Sequence, residues 1–283
     1  ASGTSTNTSL SRFRARFSRS RLFFTMASSA ATSEENERLE RQRNQKKSRP
    51  QMNSNSSHTA SRTTTSTNKV KATMGSGVDK NALDLTAAQW LQQDVALGEV
   101  VQPSTAGFSV LPANIELTGA EVALMSIEGR ERILANKLKQ EAGAFEYVVI
   151  DCPPALSILT VNALVAATGV LIPMQCEYYA LEGLSALLET IEGIREVANP
   201  DLEIDGLLRT MYDARNSLSV DVSRQLIQYF GDKVFRTVVP RNVRLAEAPS
   251  HGLPILLYDH TSRGSVAYQA LAAEMLKRHG GGP

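Results

Sequence analysis

Tyr147-Val-Val-Ile-Asp-Cys-Pro-Pro154 is the stretch whose reading decides the fold. Three β-branched apolar residues run into Asp151, and a Pro-Pro pair then stops the strand. A continuous apolar run of this kind suits a strand of a parallel sheet that is covered on both faces. Its terminal Asp then places a carboxylate at the carboxyl edge of the sheet, where open α/β folds bind ligands. In a nucleotide-binding sheet such an Asp holds the hydrated magnesium ion. By itself the pattern also fits a strand end with no ligand, and Cys152 reads as a small core residue.

The flanking sequence repeats the theme. Phe108–Leu111, Val170–Met174, Ile204–Met211 and Val234–Val239 are further candidate strands, separated by amphipathic stretches, which is the alternation of an α/β protein. Thr86-Ala-Ala-Gln89 and Thr118-Gly-Ala-Glu121 both have capping-box spacing and predict helix starts. Leu124, Ile127, Leu134 and Leu138 form one expected stripe, and Leu181, Leu184, Leu187, Leu188, Ile191 and Ile194 another. Val222, Leu226 and Tyr229 form a third, with Gly231 as its stop. A last helix is expected from Ser265 to Arg278. The fold class expected is a three-layer α/β sandwich with a mostly parallel, doubly wound sheet.

Composition divides the chain in two. The 283 residues carry a net charge of +1, but residues 1–75 hold 14 Lys and Arg against 4 Asp and Glu, a net +10 that leaves −9 for the rest. A basic, Ser/Thr/Asn-rich segment with little to bury cannot offset its ordering entropy. Residues 1–71 are therefore expected to be a disordered basic tail, and residues 72–283 the α/β domain. Arg12, Arg14, Arg16, Arg19 and Arg21, with no acidic residue before Glu34, give the start of the tail the composition of an organellar transit peptide. Non-native sequence and a nucleic-acid-binding arm are the other readings. Two cysteines, Cys152 and Cys176, in apolar segments argue for buried, reduced thiols rather than a disulfide framework. No apolar run is long enough to predict a membrane span.

Several long motifs, in register, resemble the ParA/Soj partition ATPases. They are Ala72-Thr-Met-Gly-Ser-Gly-Val-Asp-Lys80, Val110 to Glu121, Asp151 to Leu164, Gln175 to Gly183, Thr210-Met-Tyr-Asp-Ala-Arg215 and Pro240 to Ser250, continuing to Asp259. The resemblance implies a deviant-Walker nucleotide-binding fold that dimerises on ATP, binds DNA without sequence preference and hydrolyses ATP with a centromere-bound ParB-like partner. It implies a cytoplasmic, nucleoid-associated protein, with organelle targeting as the alternative that the tail raises. On matching positions it makes Asp151 the magnesium-water carboxylate and puts Pro153 and Pro154 in the switch loop. Met211, Pro240 and Asn242 border the adenine, and Arg215 and Arg244 are the DNA-binding arginines. ATP and magnesium are the implied cofactors.

One departure is decisive. A phosphate loop needs glycines, whose backbone N–H groups wrap the phosphates, and a Lys beside Ser or Thr. The chain contains no Gly-Lys dipeptide, and Gly75 and Gly77 precede no Lys-Ser or Lys-Thr pair. The family's first two strands are expected to be missing, leaving the Tyr147–Ile150 strand without its neighbour and the chain unable to catalyse alone. The alternative function is a non-enzymatic DNA-binding or dimerisation module derived from the family.

Overall fold

The computed structural model describes residues 21–26, 71–79, 82–153 and 155–280. Its strands are β1 (Arg21–Met26), β2 (Gln102–Pro103), β3 (Ser109–Val110), β4 (Tyr147–Cys152), β5 (Gly169–Gln175), β6 (Glu203–Tyr212) and β7 (Val234–Pro240). Five of them form one parallel sheet in the order β4-β1-β5-β6-β7, and β2 and β3 pair as a small antiparallel ribbon. The longer helices are α1 (Ala87–Gln92), α2 (Glu116–Leu124), α3 (Ile133–Glu141), α4 (Ile158–Ala166), α5 (Tyr178–Val197), α6 (Ser217–Phe230) and α7 (Arg263–Arg278).

The expected three layers are present, because consecutive residues of a strand point to opposite faces. Val170, Ile172 and Met174 of β5 pack with Leu184 and Ile191 of α5 and with Val222 and Leu226 of α6. Leu171, between them in sequence, joins Leu208, Phe235, Val239 and two residues of α7, Ala267 and Leu271. A third cluster centres on Trp90 of α1 and Leu138 of α3, against Val148 and Ile150 of β4. Both cysteines are buried and neither is in a disulfide. Burial pushes the Cys176 thiol up, with Arg209 drawing it partly back, as suits a core residue.

Three expectations need correction. Arg21–Met26, placed in the structureless tail, is a strand, and it lies between β4 and β5. It pairs with β4 over six residues, so the Tyr147–Ile150 strand does have a neighbour. The rest of residues 1–70, like Pro154, lies outside the described residues. The capping box at Thr118 is not used: the helix starts earlier, at Glu116, whose N–H donates to Asn114 Oδ1 at 3.0 Å. The stripe from Leu124 to Leu138 is broken: α2 ends at Leu124, and Gly129, with a φ of 67°, precedes a short 3-10 turn, Arg130–Arg132, that leads into α3. By contrast the box at Thr86 is complete, with Gln89 returning to the Thr86 N–H at 3.0 Å.

Candidate functional site

In an all-parallel sheet the carboxyl ends of the strands share one edge, and the residues singled out in the sequence gather there. Asp151 is the penultimate residue of β4 and is exposed. Thr25 of β1 stands opposite it, so the chain leaves β1 beside this carboxylate. Asp151 and Cys152 sit at the end of an apolar cavity of about 620 Å³ that is also lined by Trp90, Phe108, Leu138 and Val149.

The loop after Asp151 is held from within α4. Thr160, buried, donates from its hydroxyl to the Ala155 carbonyl at 2.8 Å and so ties the chain just beyond Pro153 to the helix. Asn162, also buried, accepts from the Leu134 N–H at 3.0 Å and donates to the carbonyls of Arg130 and Ile158 at 2.7 and 2.9 Å. Neither role was visible in the sequence, where both residues sit in an otherwise apolar helix.

Met211 lies at the carboxyl end of β6, in an irregularity of the β6–β7 pairing, and has a φ of 49°. Left-handed backbone is rare for a side chain of this size and often marks a functional position. Pro240 is the last residue of β7, opposite Tyr212, and lines a cavity of about 400 Å³ with Thr237, Thr261 and Arg263. Asn242 caps the helix Val243–Glu247, accepting from the Leu245 N–H at 3.3 Å. Asp151 and Met211 are three strand positions apart, roughly 14 Å sideways at ordinary strand spacing, and the register sets Asp151 level with Gly206, five residues before Met211 along β6. The two residues are therefore not in contact.

The two candidate DNA-binding arginines follow β6 and β7 on the same edge. Arg215 donates from Nε and Nη2 to the two carboxylate oxygens of Asp213 at 2.9 and 2.8 Å, while 90% of its side chain stays exposed. Hydrogen bonds from the Arg215 side chain, and then from its backbone N–H, hold the Asp213 carboxyl down at about 2. Arg244 pairs with Glu247 at 3.0 Å and Asp259 at 3.5 Å, and Glu247 also accepts from the Tyr258 hydroxyl. Each arginine keeps guanidinium N–H groups for phosphate oxygens, but each is escorted by a carboxylate. Arg241, which the sequence reading passed over, also acts electrostatically on Asp213. Its position in the Pro240–Ser250 motif was the available signal.

A family model described as an AAA domain matches residues 65–204. The chain is 46% identical over 205 residues to the sporulation initiation inhibitor protein Soj of Bacillus subtilis, covering 72% of this chain and 81% of that protein. It is 45% identical over 208 residues to the chromosome partitioning protein ParA of Myxococcus xanthus, covering 73% and 74%. The chain belongs to the Soj/ParA family of chromosome-partitioning ATPases.

Among solved structures, this Soj/ParA-family chain resembles cobyrinic acid a,c-diamide synthase from Mycobacterium smegmatis with bound ATP analog and magnesium. The TM-score is 0.62 at 35% identity, over 72% of this chain and 77% of that one. An exposed carboxylate at the carboxyl edge fits a magnesium ion held mainly by water and phosphate, which needs few protein ligands. Among the described residues no cluster of three or more His, Cys, Asp or Glu would hold a metal by itself. The phosphates are a different matter. From Ala27 onward the sequence reads Ala-Ser-Ser-Ala-Ala-Thr-Ser33, and neither Gly nor Lys occurs before Lys46. This stretch lacks the glycines and the lysine of a phosphate loop. Among the described residues no helix is long and apolar enough to cross a membrane.

Proposed function

We propose that this chain serves chromosome or plasmid partition as a DNA-binding member of the Soj/ParA family that does not turn over ATP on its own. The observation that carries this reading is the pairing of Thr25 with Asp151. It gives β1 a place beside the magnesium carboxylate, while the residues that leave β1 lack the glycines and the lysine needed to stabilise a transferring phosphoryl group. Met211, Pro240 and Asn242 form the adenine side of a site whose phosphate side is deficient. ATP-driven dimerisation is correspondingly weak.

DNA binding does not depend on that loop. Arg215 and Arg244 stand exposed on one edge, where guanidinium groups engage phosphates without reading bases. The partners on this reading are non-specific DNA in the cytoplasm, a ParB-like protein and a second copy of the chain. The test is steady-state hydrolysis of Mg-ATP by the full chain with duplex DNA and a ParB-type protein. Background turnover, unchanged by Asp151→Ala, is expected. Stimulated turnover abolished by Asp151→Ala overturns the reading.

A further inference from the structure

The opposite edge of the sheet carries a second feature. At the amino end of β7 a cavity of about 700 Å³ opens between β6, the end of α6 and the end of α7. Four of its lining residues are cationic, Arg209, Arg236, Lys277 and Arg278, against two acidic ones, Asp232 and Glu274.

Those charges are unevenly satisfied. Glu274 is fully engaged: it accepts the N–H groups of Arg236 and Thr237 at 2.9 Å and the guanidinium of Arg278 at 3.1 Å. Arg278 in turn stacks 4.1 Å above the Phe235 ring. Arg209 is different. It is 9% exposed, and among the described residues its guanidinium bonds to neutral acceptors alone, the Ser223 hydroxyl at 3.0 Å and the carbonyls of Phe235 and Arg236 at 2.9 and 3.1 Å. Its Nε has no partner among the described residues. Burying a guanidinium without a counter-anion is costly, and the cost falls when an anion completes the site. Among the described residues no carboxylate bonds to the side chains of Arg236 or Lys277 on the rim either. Ile227 and Val234 give the same cavity an apolar wall.

We propose that this cavity binds a phosphate monoester, its phosphoryl group held by Arg209, Arg236 and Lys277 and its organic part resting against Ile227 and Val234. A guanidinium with N–H groups left over at Nε and Nη1, flanked by two further cations, matches the charge and acceptor chemistry of a phosphoryl group. The volume exceeds what inorganic phosphate fills, which points to an ester with an apolar body. The site lies at β6 and β7, on the other side of the sheet from β4 and Asp151, and the inference does not depend on the function proposed above.

The test is thermal melting of the full chain in phenyl phosphate, inorganic phosphate and chloride at equal ionic strength. Phenyl phosphate should raise the melting temperature by several degrees, more than inorganic phosphate does. Asp151→Ala should keep that shift, which separates this cavity from the nucleotide edge, and Arg236→Gln/Lys277→Gln should lose most of it. Arg209→Met should lose it completely; if that variant does not fold, the rim double variant decides. Titration with duplex DNA identifies the source of the phosphate. Weaker DNA binding in the rim variant assigns the site to the phosphodiester backbone and overturns the monoester, and unchanged DNA binding with a lost phenyl phosphate shift supports it. No shift in the parent chain, or an equal shift in the rim variant, overturns the proposal.

Discussion

Thr25 of β1 stands opposite Asp151 of β4 in parallel register, and Met26 stands opposite Cys152. On its other side β1 pairs with β5, from Phe23 opposite Gly169 to Thr25 opposite Leu171. No pairing joins β4 directly to β5 among the described residues. The strand with the candidate magnesium carboxylate is thus tied to the rest of the sheet through six residues from near the start of the chain.

A chain beginning at Ala72 should therefore fail as a folded unit. Without β1 it exposes an apolar strand edge on both β4 and β5, which invites association between molecules. Size-exclusion chromatography should show aggregates, and calorimetry no single sharp transition. A chain beginning at Ser20 should be monodisperse by the same measurements.

DNA affinity should respond to the acidic escorts as well as to the arginines. Arg215→Ala with Arg244→Ala should weaken binding to all sequences alike and lower the slope of log affinity against log salt by about 2, roughly one per phosphate contact. Asp213→Asn, which frees the Arg215 guanidinium, should strengthen binding a few-fold. Because the Asp213 carboxyl is held at about 2, it stays charged from pH 5 to 8, so its pairing should give DNA binding no pH dependence there. Fluorescence anisotropy over a salt and pH series checks all three.

Glu274 joins α7 to the start of β7. Burial pushes its carboxyl up, but the N–H groups of Thr237 and Arg236, the Thr237 hydroxyl and Arg278 together bring it below its ordinary value. A depressed carboxyl contributes its stability above the unfolded value, about 4.3, and loses it as pH falls through the folded value. Glu274→Gln should cost about 1–2 kcal/mol at pH 7. The gap between variant and parent should close below roughly pH 4 in urea titrations repeated across pH.

Asn162 makes three hydrogen bonds from a side chain that is 2% exposed. Asn162→Ala strands the Leu134 N–H and the Arg130 carbonyl away from water. A loss of about 2–4 kcal/mol by chemical denaturation is expected, since each buried group left unpaired costs about 1–3 kcal/mol.

The sequence showed the layered core well and the polar connections poorly. β5 was legible because both of its faces are buried and Gly169 to Met174 are all apolar or small, and β6 because Leu207 and Leu208 extend an apolar run that Asp205 and Arg209 interrupt without ending. β1 was not: Leu22-Phe-Phe-Thr-Met26 is a short apolar run inside a basic, Ser-rich segment, and composition averaged over the whole segment hid it. Thr118 had the spacing of a cap, but Asn114 lies two residues before Glu116 and takes its N–H first. Asp151, Arg215 and Arg244 were singled out because the motifs around them are long. The fixed distance from Asp213 to Arg215 hinted at their pairing, whereas the neutral surroundings of Arg209 depend on α6 and β7, far away in the chain.

The place of β1 also orders events in time. Arg21 meets Tyr147, 126 residues further along, and Phe23 meets Gly169, 146 residues further along. A growing chain makes this apolar strand before the other described strands of the sheet and must keep it unpaired until two of them have been synthesised. Closing loops of that length is slow, and an open apolar strand is a hazard throughout the wait. Among the described strands β1 waits longest for its neighbours, so the yield of folded protein rests on what shields six residues during synthesis.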